Sequence, residues 1–276
     1  MYDLQHVKKR RRRKIAAVVA LFSAIGVSSL VITSFLGRTT GTFTVAVKNS
    51  SVSLSLSKTD DFKDAKSYLR IEKLLPLRET TFDNLPADDE LDNQDNDYTY
   101  GTVYDNDQNP DSLRFIKYTF YVRNMGTTPA TYNLSINLGD REKAKDGSSR
   151  TLDDTLRVMV YENNGLDKTS HDKKIYAKEA ASNNFDTDGN KVRNEFISTY
   201  PSGYNQEDDE HKFAELFLPG TSIIKYTQGN FQKGDMKRYT LVVWLEGFDP
   251  ESDAKDEEPI GASLKLGVDI DAHEAE

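Results

Sequence analysis

Apolar and polar residues alternate along most of the chain, so that every second side chain is apolar over many short segments. This period of two is typical of half-buried β-strands. The segments that show it cover residues 43–47, 52–56, 114–124, 130–138, 156–160, 174–177, 213–218, 223–226, 239–246 and 260–270. Residues 239–246 are apolar on both faces and are predicted to form a central strand. Trp244 lies in that strand, so we expect a core tryptophan rather than the alternative, a sugar-stacking platform.

Strands joined by turns, with little helix, predict an all-β fold. The natural arrangement is a β-sandwich with jelly-roll or Greek-key connections. A helical spacing of apolar residues is found at residues 62–75, where Phe62, Ala65 and Leu69 would share one face of a short helix. Two polar inserts, residues 83–112 and 178–211, interrupt the strands, and inserts of this length are either mobile or functional.

A different pattern covers residues 15–37, which contain no charged residue. In α-helical form this segment would span roughly 35 Å, whereas the hydrocarbon core of a bilayer is about 30 Å thick. Most of its side chains are Leu, Ile, Val, Phe or Ala, which favour insertion into lipid. The sequence therefore predicts one N-terminal transmembrane helix, followed by an ectodomain over residues 38–276.

An unbroken run of basic residues directly precedes the apolar segment. Positive charges stay on the cytoplasmic side of a span, so residues 1–14 are predicted to be cytoplasmic and the C-terminus extracellular. The run consists of Lys8, Lys9, Arg10, Arg11, Arg12, Arg13 and Lys14. Nucleic-acid binding by this run is the disfavoured alternative. No clear Ala-x-Ala cleavage site follows, which favours an uncleaved single-pass anchor in the cell membrane; cleavage near residues 34–41, giving a secreted protein, stays open.

Composition narrows the possible partners and reactions. Residues 15–276 carry 29 basic and 44 acidic residues, a net charge of −15. This acidic excess argues against nucleic acid or anionic lipid as the main partner of the ectodomain. The chain has no cysteine, which excludes disulfides and thiol catalysis. It also lacks the common zinc-protease, serine-hydrolase, phosphate-loop and dinucleotide motifs, so we expect a protein that is not an enzyme and has no cofactor.

Acidic loops are the main candidate for metal binding. Asp186, Asp188 and Asn190 resemble the start of a calcium-binding loop, but the EF-hand positions for Gly and Glu hold Lys191 and Ile197. Two further acidic clusters lie at residues 88–97 and 105–111. Such clusters are either solvated acidic loops or weak calcium sites of the extracellular kind.

Several segments together resemble uncharacterised surface proteins of Gram-positive bacteria (Firmicutes). They are the basic start with the apolar segment running into residues 41–45, and residues 118–126, 130–134, 157–162 and 239–251. The strand and turn at residues 120–126 are similar to the camelysin/TasA group of exported matrix proteins. This resemblance implies a jelly-roll-like sandwich after an export segment and, for some members, fibre assembly by strand donation. The longer anchor and longer acidic inserts depart from the group. Its protease activity is not carried over, because no residue matches a zinc or nucleophile motif.

These patterns predict a membrane-anchored, non-enzymatic surface protein with a structural or adhesive role. Its expected partners are the membrane, through the helix, and either itself or other surface proteins. One alternative is an extracellular module that binds glycan or calcium through the two inserts. Another is a cleaved biofilm-matrix subunit in which residues 42–57 complete a neighbour's sheet. The simpler expectation is that residues 42–57 pair within their own domain.

Overall fold

The computed structural model describes residues 36–37, 41–50, 52–74, 77–92, 114–143, 149–164, 172–179, 214–247 and 263–275. The chain divides into two compact units, Met1–Val31 and Ile32–Glu276, and the described residues belong to the second unit. This unit is built almost entirely from β-strands. The all-β fold predicted from the alternating pattern is therefore confirmed.

Six strands form the first sheet, called sheet A. In chain order they are β1 (Leu36–Gly37), β2 (Gly41–Ser50), β4 (Tyr68–Leu74), β7 (Ala130–Arg141), β11 (Ser222–Phe231) and β13 (Ser263–Glu274). The order across the sheet is β11-β7-β13-β2-β4, with β1 pairing to the start of β13. β2 runs parallel to β13 and antiparallel to β4, so residues 41–50 form an inner strand of their own domain.

Seven strands form the second sheet, called sheet B. They are β3 (Leu54–Ser57), β5 (Glu79–Thr80), β6 (Phe115–Asn124), β8 (Leu156–Asn164), β9 (Lys173–Ala177), β10 (Glu215–Leu216) and β12 (Met236–Glu246). The order is β10-β9-β8-β12-β6-β3, and β5 adds to β12. β12 pairs over most of its length with both β8 and β6, which confirms the predicted central strand.

The two sheets pack face to face around the main hydrophobic core. The alternating apolar residues of β6, β7, β8, β12 and β13 point into this core, as the period of two predicts. A direct hydrogen bond joins the sheets at its centre, where the hydroxyls of Tyr132 and Tyr239 lie 2.7 Å apart. The Tyr239 ring also stacks on Phe120 at a centroid distance of 5.4 Å. The chain therefore buries a continuous sandwich core without any disulfide.

A second apolar layer covers the outer face of sheet B. It is formed by residues 77–92, which contain β5, a 3₁₀ turn at Phe82–Asn84 and a four-residue helix, α1 (Asp88–Leu91). Leu91 and Phe82 pack with Trp244 and Met159 in this layer. A further 3₁₀ turn, Leu152–Asp154, leads into β8. The start of the predicted polar insert 83–112 is thus a packed part of the domain.

The helix predicted at residues 62–75 is wrong, because half of this segment is strand β4 and the described residues before it are not helical. Phe62 has a positive φ of 53°, which is incompatible with a helix, and its ring packs edge-on against Tyr121 at 6.5 Å. The following residues pair with β2 along Gly41–Ala46. The hydrogen bonds of β4 along the edge of β2 stabilise the strand more than three apolar residues on one face would stabilise a helix.

The N-terminal predictions fall largely beyond the described residues. Leu36 and Gly37, the last two residues of the predicted transmembrane segment, form β1 instead of helix. Residues 1–35, with the basic run and most of that segment, lie outside the description. Within the part of the chain that the structure describes, no helix has the length and apolar character needed to span a membrane.

Candidate functional site

The metal candidates and the topology signal predicted from sequence lie outside the described part of the chain. This holds for the calcium candidates Asp186, Asp188 and Asn190 and for the basic run Lys8–Lys14. Among the described residues there is no group of three or more His, Asp or Glu side chains that could hold a metal ion. Calcium binding by the acidic loops therefore stays a prediction.

One acidic residue of the cluster at residues 88–97 is deeply buried. The Asp92 side chain is fully buried and sits beside the equally buried Arg238, whose Nη2 donates to its Oδ2 at 3.0 Å. Asn163 Nδ2 donates to the same oxygen at 2.6 Å, and the Thr240 hydroxyl donates to Oδ1 at 3.0 Å. Both carboxylate oxygens of Asp92 are thus held by protein donors. For Asp92, neither a solvated acidic loop nor a calcium ligand is the correct description.

Asp88, one turn earlier, also binds to sheet B. Its Oδ1 accepts hydrogen bonds from the Tyr161 hydroxyl and from Lys173 Nζ, each at 2.6 Å. Lys117, almost fully buried on β6, donates to the backbone oxygen of Glu90 at 3.1 Å. These contacts fasten α1 to the outer face of the sheet. The start of the acidic cluster, residues 88–92, therefore has a structural role: it holds the covering segment on sheet B, and we call it the clamp.

Trp244 lies in the second apolar layer and is fully buried. Its Nε1 donates to Glu246 Oε2 at 3.0 Å, and the same oxygen accepts the backbone N–H of Phe82 at 3.0 Å. The Phe82 ring lies 6.1 Å from the indole. A buried tryptophan with its N–H satisfied is a packing residue, which confirms the core prediction.

A cleft of about 360 Å³ lies between the sheets, next to the main core. Its volume is at the lower end of the range of about 300–1,000 Å³ that is typical of small-molecule sites. Both sheets contribute side chains to its apolar floor, which consists of Leu134, Ile136, Val160, Ile224 and Tyr239. Four of these five are buried and Val160 is half-buried, so the floor is a continuation of the hydrophobic core.

The upper walls of the cleft are polar and aromatic. They carry Glu162, Asp172, Lys173, Lys174, Tyr176 and Tyr226. Glu162 continues the inward-facing row of β8, and its Oε1 accepts a hydrogen bond from the Tyr226 hydroxyl at 2.5 Å. Lys237 Nζ binds the same oxygen at 2.5 Å. The Glu162 side chain remains 25% exposed, which places a charge-paired carboxylate at the solvent-accessible side of an apolar cleft.

Burial raises the pKa of the two wall tyrosines, which are already neutral at neutral pH. It raises the pKa of Tyr176 to about 12, with smaller contributions from the charges of Glu215 and Glu162. Burial and the hydrogen bond to Glu162 also raise the pKa of Tyr226 well above its ordinary value. Both phenols are therefore hydrogen-bond donors at neutral pH. The site combines an apolar floor with two tyrosines and two carboxylates on the walls, those of Glu162 and Asp172.

The sequence predicted neither the cleft between the sheets nor the clamp formed by residues 88–92. Their only local signal is a polar residue at an inward-facing or central-strand position, such as Glu162 after Leu156, Val158 and Val160. That signal does not reveal which segments pack against it.

A scan against protein-family models, a search of curated proteins and a search of solved structures each gave no match.

Proposed function

We propose that this chain is a single-pass, membrane-anchored surface protein of a Gram-positive bacterium with a non-enzymatic, structural or adhesive role. The observation that supports this proposal best is the position of β2. β2 follows the predicted transmembrane segment after residues 38–40, and it is an inner strand of sheet A with β13 on one side and β4 on the other. Leu36 and Gly37 already pair with β13 as β1, so an uncleaved anchor would end by residue 35 and be followed directly by strands of sheet A.

The same strand position argues against the fibre alternative. Residues 42–50, which would complete a neighbour's sheet, pair with β13 and β4 of their own chain, and residues 54–57 pair with β6. Val45 on β2 is also fully buried in the core. Donating residues 42–57 would first break three hydrogen-bonded ladders, those with β13, β4 and β6, and expose apolar surface. A tethered sandwich requires no such rearrangement.

Strand connectivity supports the proposed jelly-roll character of the sandwich. Successive strands cross from one sheet to the other along β2, β3 and β4, again along β6, β7 and β8, and again along β11, β12 and β13. Such crossing connections are typical of jelly rolls and Greek keys.

Anchoring and orientation are tested on the full-length chain in a Gram-positive host. We expect the membrane fraction to contain a protein whose intact mass includes residues 1–37, and we expect a membrane-impermeant amine reagent to label its lysines on whole cells. A matched variant with Arg10, Arg11, Arg12 and Arg13 replaced by glutamine should show reduced surface labelling, because it weakens the topology signal. A shortened protein in the medium would instead establish the secreted alternative.

A further inference from the structure

We propose that the cleft between the sheets binds a neutral saccharide. This inference rests on the cleft alone and not on the membrane tether, so either proposal can fail while the other holds. A pyranose ring has an apolar C–H face and a rim of hydroxyls. The cleft offers the same division, because its floor is apolar and its polar groups lie on the walls.

The apolar part of the cleft suits one or two sugar rings. Ile136 and Tyr239 are essentially fully buried at the floor, and Tyr226 meets Tyr239 edge-on at a centroid distance of 6.3 Å. Tyr176 supplies a second, half-buried aromatic wall from β9. A sugar C–H face can pack on the half-buried rings of Tyr176 and Tyr226. The mostly apolar lining with a few convergent polar groups is typical of small-ligand sites.

Hydrogen-bonding capacity remains on the walls. Within the described residues, both hydrogen bonds to the Glu162 carboxylate reach Oε1, from Tyr226 and Lys237. Among those same residues, the hydroxyl of Tyr176 forms no hydrogen bond. Glu162 Oε2 can thus accept a bond from a sugar hydroxyl, and Tyr176 can donate one. A ligand with hydroxyl groups that both donate and accept satisfies the two.

Charge decides between a neutral and a cationic ligand. A carboxylate in an apolar cleft would favour an ammonium group if it were unpaired. However, the Glu162 carboxylate already binds the Lys237 ammonium. The other charged wall residues, Asp172, Lys173 and Lys174, are exposed, and water screens their charges. A second cation at Glu162 would be repelled by Lys237, whereas a neutral hydroxyl would not. The site therefore favours a saccharide over an amine.

Calorimetric titration of the full-length chain tests this proposal. The protein is held in phospholipid nanodiscs without glycoside detergents, which would compete for the cleft. The probes are cellobiose, maltose and N,N′-diacetylchitobiose, with hexylammonium as the cationic alternative. We expect at least one disaccharide to bind at a stoichiometry near one, and we expect hexylammonium not to bind.

The variant Tyr176→Phe then locates the binding. It removes one hydroxyl without disturbing a hydrogen bond between described residues, so the fold should be kept, while affinity for the saccharide should fall about 2- to 10-fold. Tyr68→Phe is the matched control, because Tyr68 is 47% exposed on β4 and does not line the cleft; its affinity should not change. The proposal is overturned if no disaccharide binds, if only hexylammonium binds, or if Tyr176→Phe binds as the parent does.

Discussion

At the scale of single residues, Asp92 has the largest structural effect that the sequence did not predict. Its carboxylate is buried on the outer face of sheet B and accepts hydrogen bonds from Arg238, Asn163 and Thr240. A buried charge is tolerated only when it is paired and hydrogen-bonded, because desolvation of an ion is costly. Asp92 and Arg238 therefore depend on each other, and together they fix the end of the covering segment 77–92.

We expect Asp92→Asn to lower the free energy of unfolding by about 3–5 kcal/mol, since it leaves the Arg238 guanidinium buried without its counter-charge. Urea denaturation monitored by circular dichroism measures this change. Asp89→Asn is the matched control on the same short helix, where the side chain is exposed, and it should change stability by no more than about 0.5 kcal/mol. Equal effects of the two variants would show that the buried pair does not stabilise the fold.

At the scale of elements, sequence pattern predicted the strands well and their surroundings poorly. β12 was recognisable because Tyr239, Leu241 and Val243 alternate with Thr240, Val242 and Trp244, and both rows are buried. Apolar character on both faces indicates cover on both sides. In contrast, β4 was mistaken for a helix, since its pairing with β2 is a long-range contact that no local spacing contains.

The second layer and the cleft were missed for the same reason. Lys117 and Arg157 occupy outward-facing positions, which normally indicate solvent, yet both are almost fully buried. Lys117 lies against the layer formed by residues 77–92, where it binds Glu90. The polar residues of that segment predicted a loop, because hydrogen bonds to sheet B cannot be inferred from the segment itself. The role of Glu162 in the cleft likewise depends on its hydrogen bonds with Tyr226 and Lys237, which are distant in sequence and cannot be inferred from β8 alone.

The inner position of β2 predicts slow hydrogen exchange in this element. Amides of residues 44–47 should be protected to nearly the same degree as those of residues 267–270, their partners on β13, because both belong to one ladder at the centre of sheet A. Amides of the two-residue edge strand β10 should exchange much faster. Mass spectrometry of peptides from the full-length chain measures all three segments in one experiment.

A detachable β2 would give the opposite result. If residues 44–47 exchanged as fast as β10 while β13 stayed protected, β2 would leave the sheet without global unfolding. That behaviour would favour strand donation over the tethered sandwich. The control is internal, since amides of β12 in sheet B should remain protected in either case.

At the scale of the whole molecule, buried tyrosines make stability depend on pH on the alkaline side. Burial raises the pKa of several phenols well above the ordinary value of about 10, namely those of Tyr118, Tyr132, Tyr161, Tyr226 and Tyr239. Above about pH 10 the unfolded chain loses these protons while the folded chain keeps them. The unfolded state then binds fewer protons, so the free energy of unfolding falls as pH rises. Below the unfolded pKa this contribution is fully retained.

The Tyr132–Tyr239 pair allows this dependence to be measured directly. Each fully buried tyrosine should lower the free energy of unfolding by up to about 1.4 kcal/mol per pH unit between roughly pH 10.5 and the higher pKa of the folded state. Denaturation series in urea at several pH values should therefore show a shallower slope for the double variant Tyr132→Phe/Tyr239→Phe than for the parent. Replacing both hydroxyls keeps the rings and leaves neither partner unsatisfied at the 2.7 Å contact, so the variant should still fold. Parallel curves for parent and variant would mean that these two phenols ionise as easily in the folded sandwich as in the unfolded chain, and that the centre of the core is open to water.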